Sequence, residues 1–207
     1  MSFYTSLTGL NAATTQLSVT SNNIANSGTG GFKRSEADFG DIFATSPLEK
    51  SSSVIGRGVS LKEISQEFSQ GNIENSANAL DLAIEGPGFF QIVQPDGTIS
   101  YTRDGGFKLS QEGELVTPQG LLLQPQIVVP AEAASISIGN DGIVSAELAN
   151  GGGNQQLGQI QIARFINSAG LEAQGQNLFR ETTSSGAPIV LVPGEQGAGE
   201  IAQGMLE

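Results

Sequence analysis

Cysteine, histidine and tryptophan are all absent from this chain of 207 residues. Without cysteine and histidine there is no thiol nucleophile, no disulfide bond, no zinc site of thiolate or imidazole ligands, and no imidazole general base. We therefore expect no catalytic residue, no bound metal and no cofactor. The lack of tryptophan and the presence of only two tyrosines argue against a binding module that presents aromatic platforms to a ligand.

Basic residues are also scarce, since 9 lysine and arginine residues stand against 21 acidic ones, giving a net charge of −12. This charge repels phosphates and anionic lipids, so we expect no nucleic-acid partner. No apolar run approaches the roughly 18 residues of a membrane span, so we expect no direct membrane insertion. The first charged residue is Lys33, and the N-terminus thus lacks the basic region of a secretory signal. Any export would use a route without a cleaved signal peptide.

Glycine, in contrast, is abundant, with 28 residues, while only 14% of the chain is charged. This balance is typical of strands and turns rather than of a charged helical bundle. We predict a mainly β fold, in which an antiparallel β-sandwich or barrel-like body carries an N-terminal α-helix and an irregular connector. The expected division is an assembly helix over 1–26, a connector over 27–78, a β-rich body over 79–192 and a C-terminal return segment over 193–207.

The first 26 residues carry no charge and predict a helix with one narrow apolar stripe. The larger apolar residues follow alternating spacings of four and three, with Thr14 and Ser21 at the intervening positions. Two interpretations are open: the stripe packs on its own domain, or it packs on other chains. The uncharged opposite face favours the second, because it suits a surface surrounded by neighbouring subunits. The stripe consists of Phe3, Leu7, Leu10, Leu17 and Ile24.

In the connector, glycine, proline and serine divide the chain into short pieces. The glycine-rich run at 27–31 ends the helix, and Pro47 and the serines at 51–53 predict irregular structure. Apolar residues within 59–68 predict a short extended segment. The adjacent basic residues Lys33 and Arg34 are expected to be solvated.

The β body is predicted from alternating apolar residues between turn signals. Leu80, Leu82 and Ile84 alternate with smaller or polar residues, and a Gly-Pro-Gly turn separates them from a strand over 89–93. We expect an antiparallel meander, with its longest strand over 157–166. Further strands are predicted over 99–102, 107–109, 115–117, 121–124 and 143–146.

The acidic residues form no pattern that indicates chemistry. Asp96, Asp104 and Asp141 each precede a glycine, which predicts turns, and the spacing of an EF-hand calcium loop is missing. Glu112 and Glu114 could act as a glycosidase pair only if they converged in one cleft. We interpret them as surface carboxylates of a hairpin, which leaves a hydrolase as the least supported class of function.

The N-terminal 34 residues resemble the signature of the flagellar rod and hook protein family. The resemblance continues in order at 80–84, 88–90, 101–105, 138–142, 170–172 and 177–179, and so covers nearly the whole chain. The signature motif consists of Asn22, Asn23, Ile24, Ala25, Asn26, Gly31, Phe32 and Lys33.

Within that family, the first half resembles hook subunits, notably at 39–44 and 58–62. The second half, from Leu121 onward, is similar to distal-rod subunits, and the large outer domain that hook subunits insert has no room here. A distal-rod subunit is the favoured interpretation, and a hook subunit is the alternative. The resemblance also implies a long C-terminal helix beyond the segment that matches 203–207, which would pair with the N-terminal helix and which this sequence lacks.

The resemblance implies a structural protein rather than an enzyme. Copies would be exported by the type III route and assemble helically into a hollow tube that transmits torque and conducts exported subunits. The implied partners are copies of the chain, neighbouring rod and hook subunits, and the flagellar export apparatus. The implied location is the flagellar basal body, from periplasm to cell exterior. A secreted β-rich binding or adhesin module stays open, but it would leave the uncharged helical stripe unexplained.

Overall fold

A computed structural model describes residues 2–44, 55–149 and 153–207. In these residues the protein is mainly β with an N-terminal α-helix, which confirms the predicted fold class. The strands pair antiparallel and close no barrel within the described residues. The chain divides into two compact units: unit 1 contains Met1–Gly28 and Lys33–Phe68, and unit 2 contains Thr29–Phe32 and Ser69–Glu207. The expected division into four segments, with a β-rich body over 79–192, stays a prediction.

Unit 1 consists of one helix and one β-hairpin. Helix α1 spans Ser2–Ala25, and strands β1 (Ser35–Ala44) and β2 (Ile55–Gln66) pair antiparallel. The register shifts twice, between Asp38 and Phe39 and between Ile42 and Phe43 of β1. Such bulges bend and twist a hairpin. The hairpin therefore occupies much of the stretch predicted as an irregular connector, whereas the breaks predicted at Pro47 and at 51–53 lie outside the described residues.

Unit 2 is built from short strands. They are β3 (Glu74–Asn75), β4 (Leu82–Glu85), β5 (Phe89–Val93), β6 (Ile99–Thr102), β7 (Lys108–Leu109), β8 (Leu115–Val116), β9 (Leu122–Gln124), β10 (Ala133–Ile138), β11 (Ile143–Leu148), β12 (Asn154–Gln159), β13 (Ile162–Arg164), β14 (Glu172–Gly175), β15 (Leu178–Arg180), β16 (Ile189–Leu191), β17 (Glu200–Gln203) and β18 (Met205–Leu206), with a 3-10 turn at Ser168–Gly170.

The three aspartates that precede glycine stabilise turns, as predicted. In each case Oδ1 accepts a hydrogen bond from the backbone N–H two residues later: Asp96 from Thr98 at 2.9 Å, Asp104 from Gly106 at 3.1 Å, and Asp141 from Ile143 at 3.1 Å. This geometry replaces part of the turn's own backbone hydrogen bonding. The carboxylates are thereby used in local structure.

Strand β5 lies at the centre of the largest sheet, whose main order is β14-β15-β6-β5-β9-β8-β7. One edge of β5 pairs with β6, and the other edge pairs first with β13 and then with β9. The predicted long strand over 157–166 is wrong, because it divides into β12 and β13, which pair in different sheets. Between them, Ile160 is fully buried and its N–H donates to Gly142 O at 2.8 Å.

The hydrophobic core of unit 2 draws side chains from the large sheet, from the β10-β11-β12 sheet and from β4 and β17. Burial of large aliphatic and aromatic side chains stabilises such a core by about 1.5–3 kcal/mol each. The fully buried large residues include Leu82, Ile84, Phe90, Ile92, Phe107, Leu115, Leu123, Ile160, Ile162, Val144 and Ile201.

A second buried cluster in unit 2 is aromatic. The Phe89 ring packs edge-on against Phe165 and Phe179, with centroid distances of 5.9 and 6.1 Å, and Tyr101 packs edge-on against Phe165 at 4.8 Å. Edge-to-face packing of this kind stabilises beyond the buried area alone. Burial, followed by the negative charge of Glu181, raises the pKa of Tyr101 to about 12.

The raised pKa of Tyr101 predicts a loss of stability in alkali. Because the folded chain holds the proton more tightly than the unfolded chain does, this contribution is complete below the ordinary tyrosine pKa of about 10. It is then lost as the pH rises from there through about 12. We expect the unfolding free energy to fall less steeply for Tyr101→Phe than for the wild type across this window, measured by urea unfolding at each pH. If the unfolding free energies of the variant and the wild type fell in parallel across this pH window, the expectation would be contradicted.

The end of the chain completes the fold of unit 2. Strand β17 pairs with β4, and β18 pairs with β3. The side chain of Gln203 extends this closure, since Nε2 donates to Ala79 O at 2.8 Å and to Ile136 O at 3.0 Å while Oε1 accepts from Ile138 N at 3.0 Å. The glycine-rich stretch at 194–204 packs on the body of unit 2 and buries Ile201.

Arg103 is a buried cation in unit 2. Its guanidinium donates to Ile84 O at 3.2 Å and to Gly86 O at 2.7 Å, and Cζ lies 5.6 Å from the ring centre of Phe89. Nη1 lies 3.6 Å from Oε2 of Glu207, and the two side chains are only 4% and 3% exposed. Burial lowers the pKa of Arg103, and the charge of Glu207 opposes this effect.

Candidate assembly surface

Helix α1 contacts its hairpin through small and polar residues. Along the helix the less exposed positions are Thr8, Ala12, Thr15, Val19 and Asn23, which fall on one face, and Val19 is the most buried of them at 9% exposure. The backbone N–H of Val59 donates to Thr8 Oγ1 at 3.4 Å. The packing face is thus not the apolar stripe.

The predicted stripe lies on the opposite face of α1, since its residues fall about half a turn of the helix away from Val19. All five stripe residues are exposed, by between 41% at Leu7 and 81% at Phe3. Contiguous exposed apolar rows are typical of interaction surfaces, and packing of the stripe on other chains stays a prediction. In the structure the stripe therefore does not pack within unit 1, which was one of the two interpretations left open by the sequence.

Gly58 lets the helix and the hairpin approach closely. Its φ is 125°, and a Cβ at this position would collide with Oγ1 of Thr8. This contact was not predicted, because Gly58 is one of several glycines in the expected connector and Thr8 is one of several polar helix residues. Together with Val59 they hold one end of α1 on the hairpin.

Two asparagines of the signature motif hold the other end. Asn23 bridges α1 and β1, since its Nδ2 donates to Ser35 O at 2.8 Å and its Oδ1 accepts from Ser35 N at 2.9 Å. Asn26 Nδ2 donates to Asn22 O at 3.0 Å and Ser27 Oγ donates to Ile24 O at 2.9 Å, and each side chain thereby adds to the backbone hydrogen bond that its own N–H makes to the same carbonyl. Asn22 and Ala25 are exposed.

The later motif residues are tied down in different ways. Gly31 belongs to unit 2, where its N–H donates to Glu207 O at 2.9 Å. Its φ is 68°, and a Cβ would lie 2.8 Å from Asp104 Cα, so a larger residue would be strained there. Phe32 N donates to Thr29 O at 3.2 Å. Lys33 is 4% exposed, so its predicted solvation is wrong.

Arg34, the other member of the predicted solvated pair, behaves as expected. Its side chain is largely exposed and its Nε donates to Glu67 Oε2 at 2.7 Å. Because solvent screens such a pair, it contributes little to stability.

The hairpin of unit 1 exposes further apolar residues. Phe39 lies opposite Leu61 in the register, and Phe43 lies on the same face of β1 because side chains alternate along a strand. Phe43, Leu61 and Ile64 are about half exposed. Unit 1 therefore presents apolar side chains on its hairpin as well as on its helix.

No candidate metal cluster accompanies these surfaces in the described parts of the chain. Within residues 2–44, 55–149 and 153–207, no group of three or more acidic residues could hold a metal ion. Glu114 accepts a hydrogen bond from Gln126 Nε2, and Gly113, at φ 83°, forms the turn between Glu112 and Glu114. No helix in the same residues combines the length and hydrophobicity needed to cross a membrane.

Two family models match the chain. Residues 3–33 match the model described as flagella basal body rod protein, and residues 83–146 match the D1 domain of the flagellar hook protein FlgE/F/G group. The first match covers α1 and the motif after it. The second lies entirely in unit 2.

Matches to individual proteins cover more of the chain than the two family models do. The flagellar basal-body rod protein FlgG of Buchnera aphidicola subsp. Schizaphis graminum is 41% identical, with 100% of this chain and 84% of that protein covered. The FlgG of Borreliella burgdorferi is 40% identical, with 99% and 82% covered. The flagellar hook protein FlgE of Escherichia coli K12 is 42% identical, but the match covers 68% of this chain and 35% of the hook protein.

Proposed function

Because this chain belongs to the flagellar rod and hook protein family, we propose that it is a structural subunit of the distal rod. In this function it assembles helically with copies of itself into the hollow flagellar axle and catalyses nothing. The similarity to rod proteins over nearly the full chain favours the rod over the hook, for which the match is partial. The chain would reach the basal body through the flagellar export apparatus, without a cleaved signal peptide.

The observation that carries this proposal is the exposed stripe of α1. A helix that used its apolar residues for its own fold would bury them, whereas α1 buries Val19 and bonds through Thr8 and Asn23 on the other face. The stripe is therefore available to helices of neighbouring subunits. Since α1 has no charged residue, it can be surrounded by other chains without the cost of burying a charge.

In the proposed assembly, the motif asparagines act indirectly. Asn23 fixes α1 to the first residue of β1, and Asn26 completes the helix end. Their contribution is to hold the stripe in one orientation on unit 1. The exposed apolar residues of the hairpin, Phe43 and Leu61, would contact neighbouring rod or hook subunits in the same assembly.

The test compares stripe variants with a variant of the packing face. We expect Leu10→Ala/Leu17→Ala to leave the unfolding free energy of the purified chain unchanged within about 0.5 kcal/mol, because both side chains are exposed. In the bacterium, the same variant should lower incorporation into isolated basal bodies by more than about tenfold, because each lost apolar contact between subunits costs about 1–2 kcal/mol.

Two matched controls on α1 separate assembly from folding. Gln16→Ala changes an exposed residue off the stripe, and we expect normal incorporation and motility. Val19→Ala should lower the stability of unit 1, by about 1–2 kcal/mol. Normal rods made by the Leu10→Ala/Leu17→Ala variant would refute the assembly role of the stripe. Complete rods with missing hooks would instead assign the chain to the hook.

A further inference from the structure

A polar cleft in unit 2 has no part in the assembly surface described above. Its volume is about 620 Å³. Three hairpins contribute to its lining: the turn after β5 supplies Gln94 and Asp96, the turn after β8 supplies Gln119, and the β14–β15 hairpin supplies Gln174 and Gln176. Glutamine amides thus dominate the polar groups of the cleft.

A buried hydroxyl orients two of these amides. Ser100 is 1% exposed, and its Oγ accepts from Gln94 Nε2 at 2.9 Å and donates to Gln174 Oε1 at 2.9 Å. Each amide is therefore held by one of its two polar atoms. The carbonyl oxygen of Gln94 and the NH₂ group of Gln174 remain for a ligand, as a fixed acceptor and donor. Such preorganisation lowers the entropy cost of binding.

The charges of the cleft select the class of ligand. The lining contains no lysine or arginine, so an anion would find no counter-charge. Its aspartate, Asp96, accepts hydrogen bonds from the hydroxyl and then from the N–H of Thr98, and these lower the pKa of Asp96. Amide groups pair best with neutral groups that both donate and accept hydrogen bonds, as the hydroxyl and acetamido groups of sugars do.

We propose that this cleft binds a neutral oligosaccharide carrying acetamido groups, with Gln94 as acceptor and Gln174 as donor. The volume accommodates about two sugar rings. The binding is weak, because the lining residues Gln119, Gln174 and Gln176 are exposed and aromatic stacking partners are absent from this lining. This inference does not depend on the proposed assembly function.

The experiment is a titration of the ¹⁵N-labelled chain, followed by NMR, with N,N′-diacetylchitobiose and with cellobiose. We expect saturable shifts confined to residues 94–98, 119–121 and 174–178, with a dissociation constant of about 1–10 mM for the acetamido sugar. Cellobiose should bind at least about threefold more weakly, since it lacks the amide groups that match the lining.

Variants of glutamines inside and outside the cleft test where the sugar binds. Gln174→Ala should weaken binding about tenfold, because it removes an oriented donor, while Gln155→Ala, an exposed glutamine on β12 outside the cleft, should have no effect. Gln176→Ala provides a second cleft variant that leaves the Ser100 network intact. Absence of shifts at about 50 mM of either sugar, shifts elsewhere, or equal binding by well-folded Gln174→Ala and Gln176→Ala would each overturn the proposal.

Discussion

Gly105→Ala is expected to lower the unfolding free energy of unit 2 by about 4 kcal/mol. A Cβ at this position would collide with the carbonyl oxygen of Leu82 and would lie 2.7 Å from the carbonyl carbon. Backbone cannot rotate away as a side chain can. Relieving the collision would require the two backbone segments to move apart. That movement would also break the hydrogen bond from Leu82 N to Gly105 O, which measures 3.0 Å and connects this segment to β4.

The measurement can report on unit 2 alone. The chain has two tyrosines and no tryptophan, so a Tyr4→Phe background leaves Tyr101 as the single fluorescent reporter, buried in unit 2. Gly120→Ala is the control, because Gly120 has a φ of 85° but nothing lies within 4 Å of an added Cβ. It should cost only about 1 kcal/mol for the strained conformation. Equal costs for the two variants would show that the close approach at Gly105 is not tight.

Arg103→Met should destabilise unit 2 by about 3–5 kcal/mol. The change removes two hydrogen bonds to the carbonyls of Ile84 and Gly86, and it removes the guanidinium that lies 3.6 Å from the buried carboxylate of Glu207. A buried charge that loses its partner costs far more than the pair itself contributes. Urea unfolding in the Tyr4→Phe background measures the loss.

A second ion pair in unit 2 supplies the control. Arg180 Nη2 lies 2.6 Å from Glu172 Oε2, but both side chains are more than half exposed. Arg180→Met should therefore cost at most about 1 kcal/mol. We also expect the losses from Arg103→Met and Glu207→Gln to be non-additive in the double variant, since the two side chains contact each other. If Arg103→Met cost no more than Arg180→Met, the buried pair would have no structural importance.

The local sequence pattern predicted those strands in which apolar residues lie between clear turn signals. Strands β5 and β6 match their predicted bounds, because apolar residues there lie between strong turn signals. Strand β17 was not predicted, since Ile201 is the only large apolar residue within Glu200–Gln203. Its conformation comes from pairing with β4, a partner distant in sequence. No periodicity within four residues encodes such a partner.

The spacing of its residues predicted the stripe of the candidate assembly surface, and the uncharged opposite face favoured its packing on other chains, but the residues through which α1 contacts its hairpin were not predicted. A helix normally packs through its apolar face, so the sequence could not indicate that α1 would use Thr8, Val19 and Asn23 instead. The decisive contacts involve Gly58 and Ser35, which lie in the hairpin and carry no helical signal. Lys33 likewise gave no sign of burial, because a lysine beside an arginine is usually solvated.

The pairing of β4 with β17 also determines when unit 2 can complete its fold during synthesis. Gln203, which bonds to Ala79 124 positions earlier, leaves the ribosome long after β4 does. Until then one edge of β4 has no partner strand, and a contact of such long range slows folding once the whole chain is available. Unit 2 therefore cannot close until β17 has been synthesised. For a protein that we propose is exported through the flagellar apparatus, this delay would leave a period in which the chain is still loose enough to be threaded.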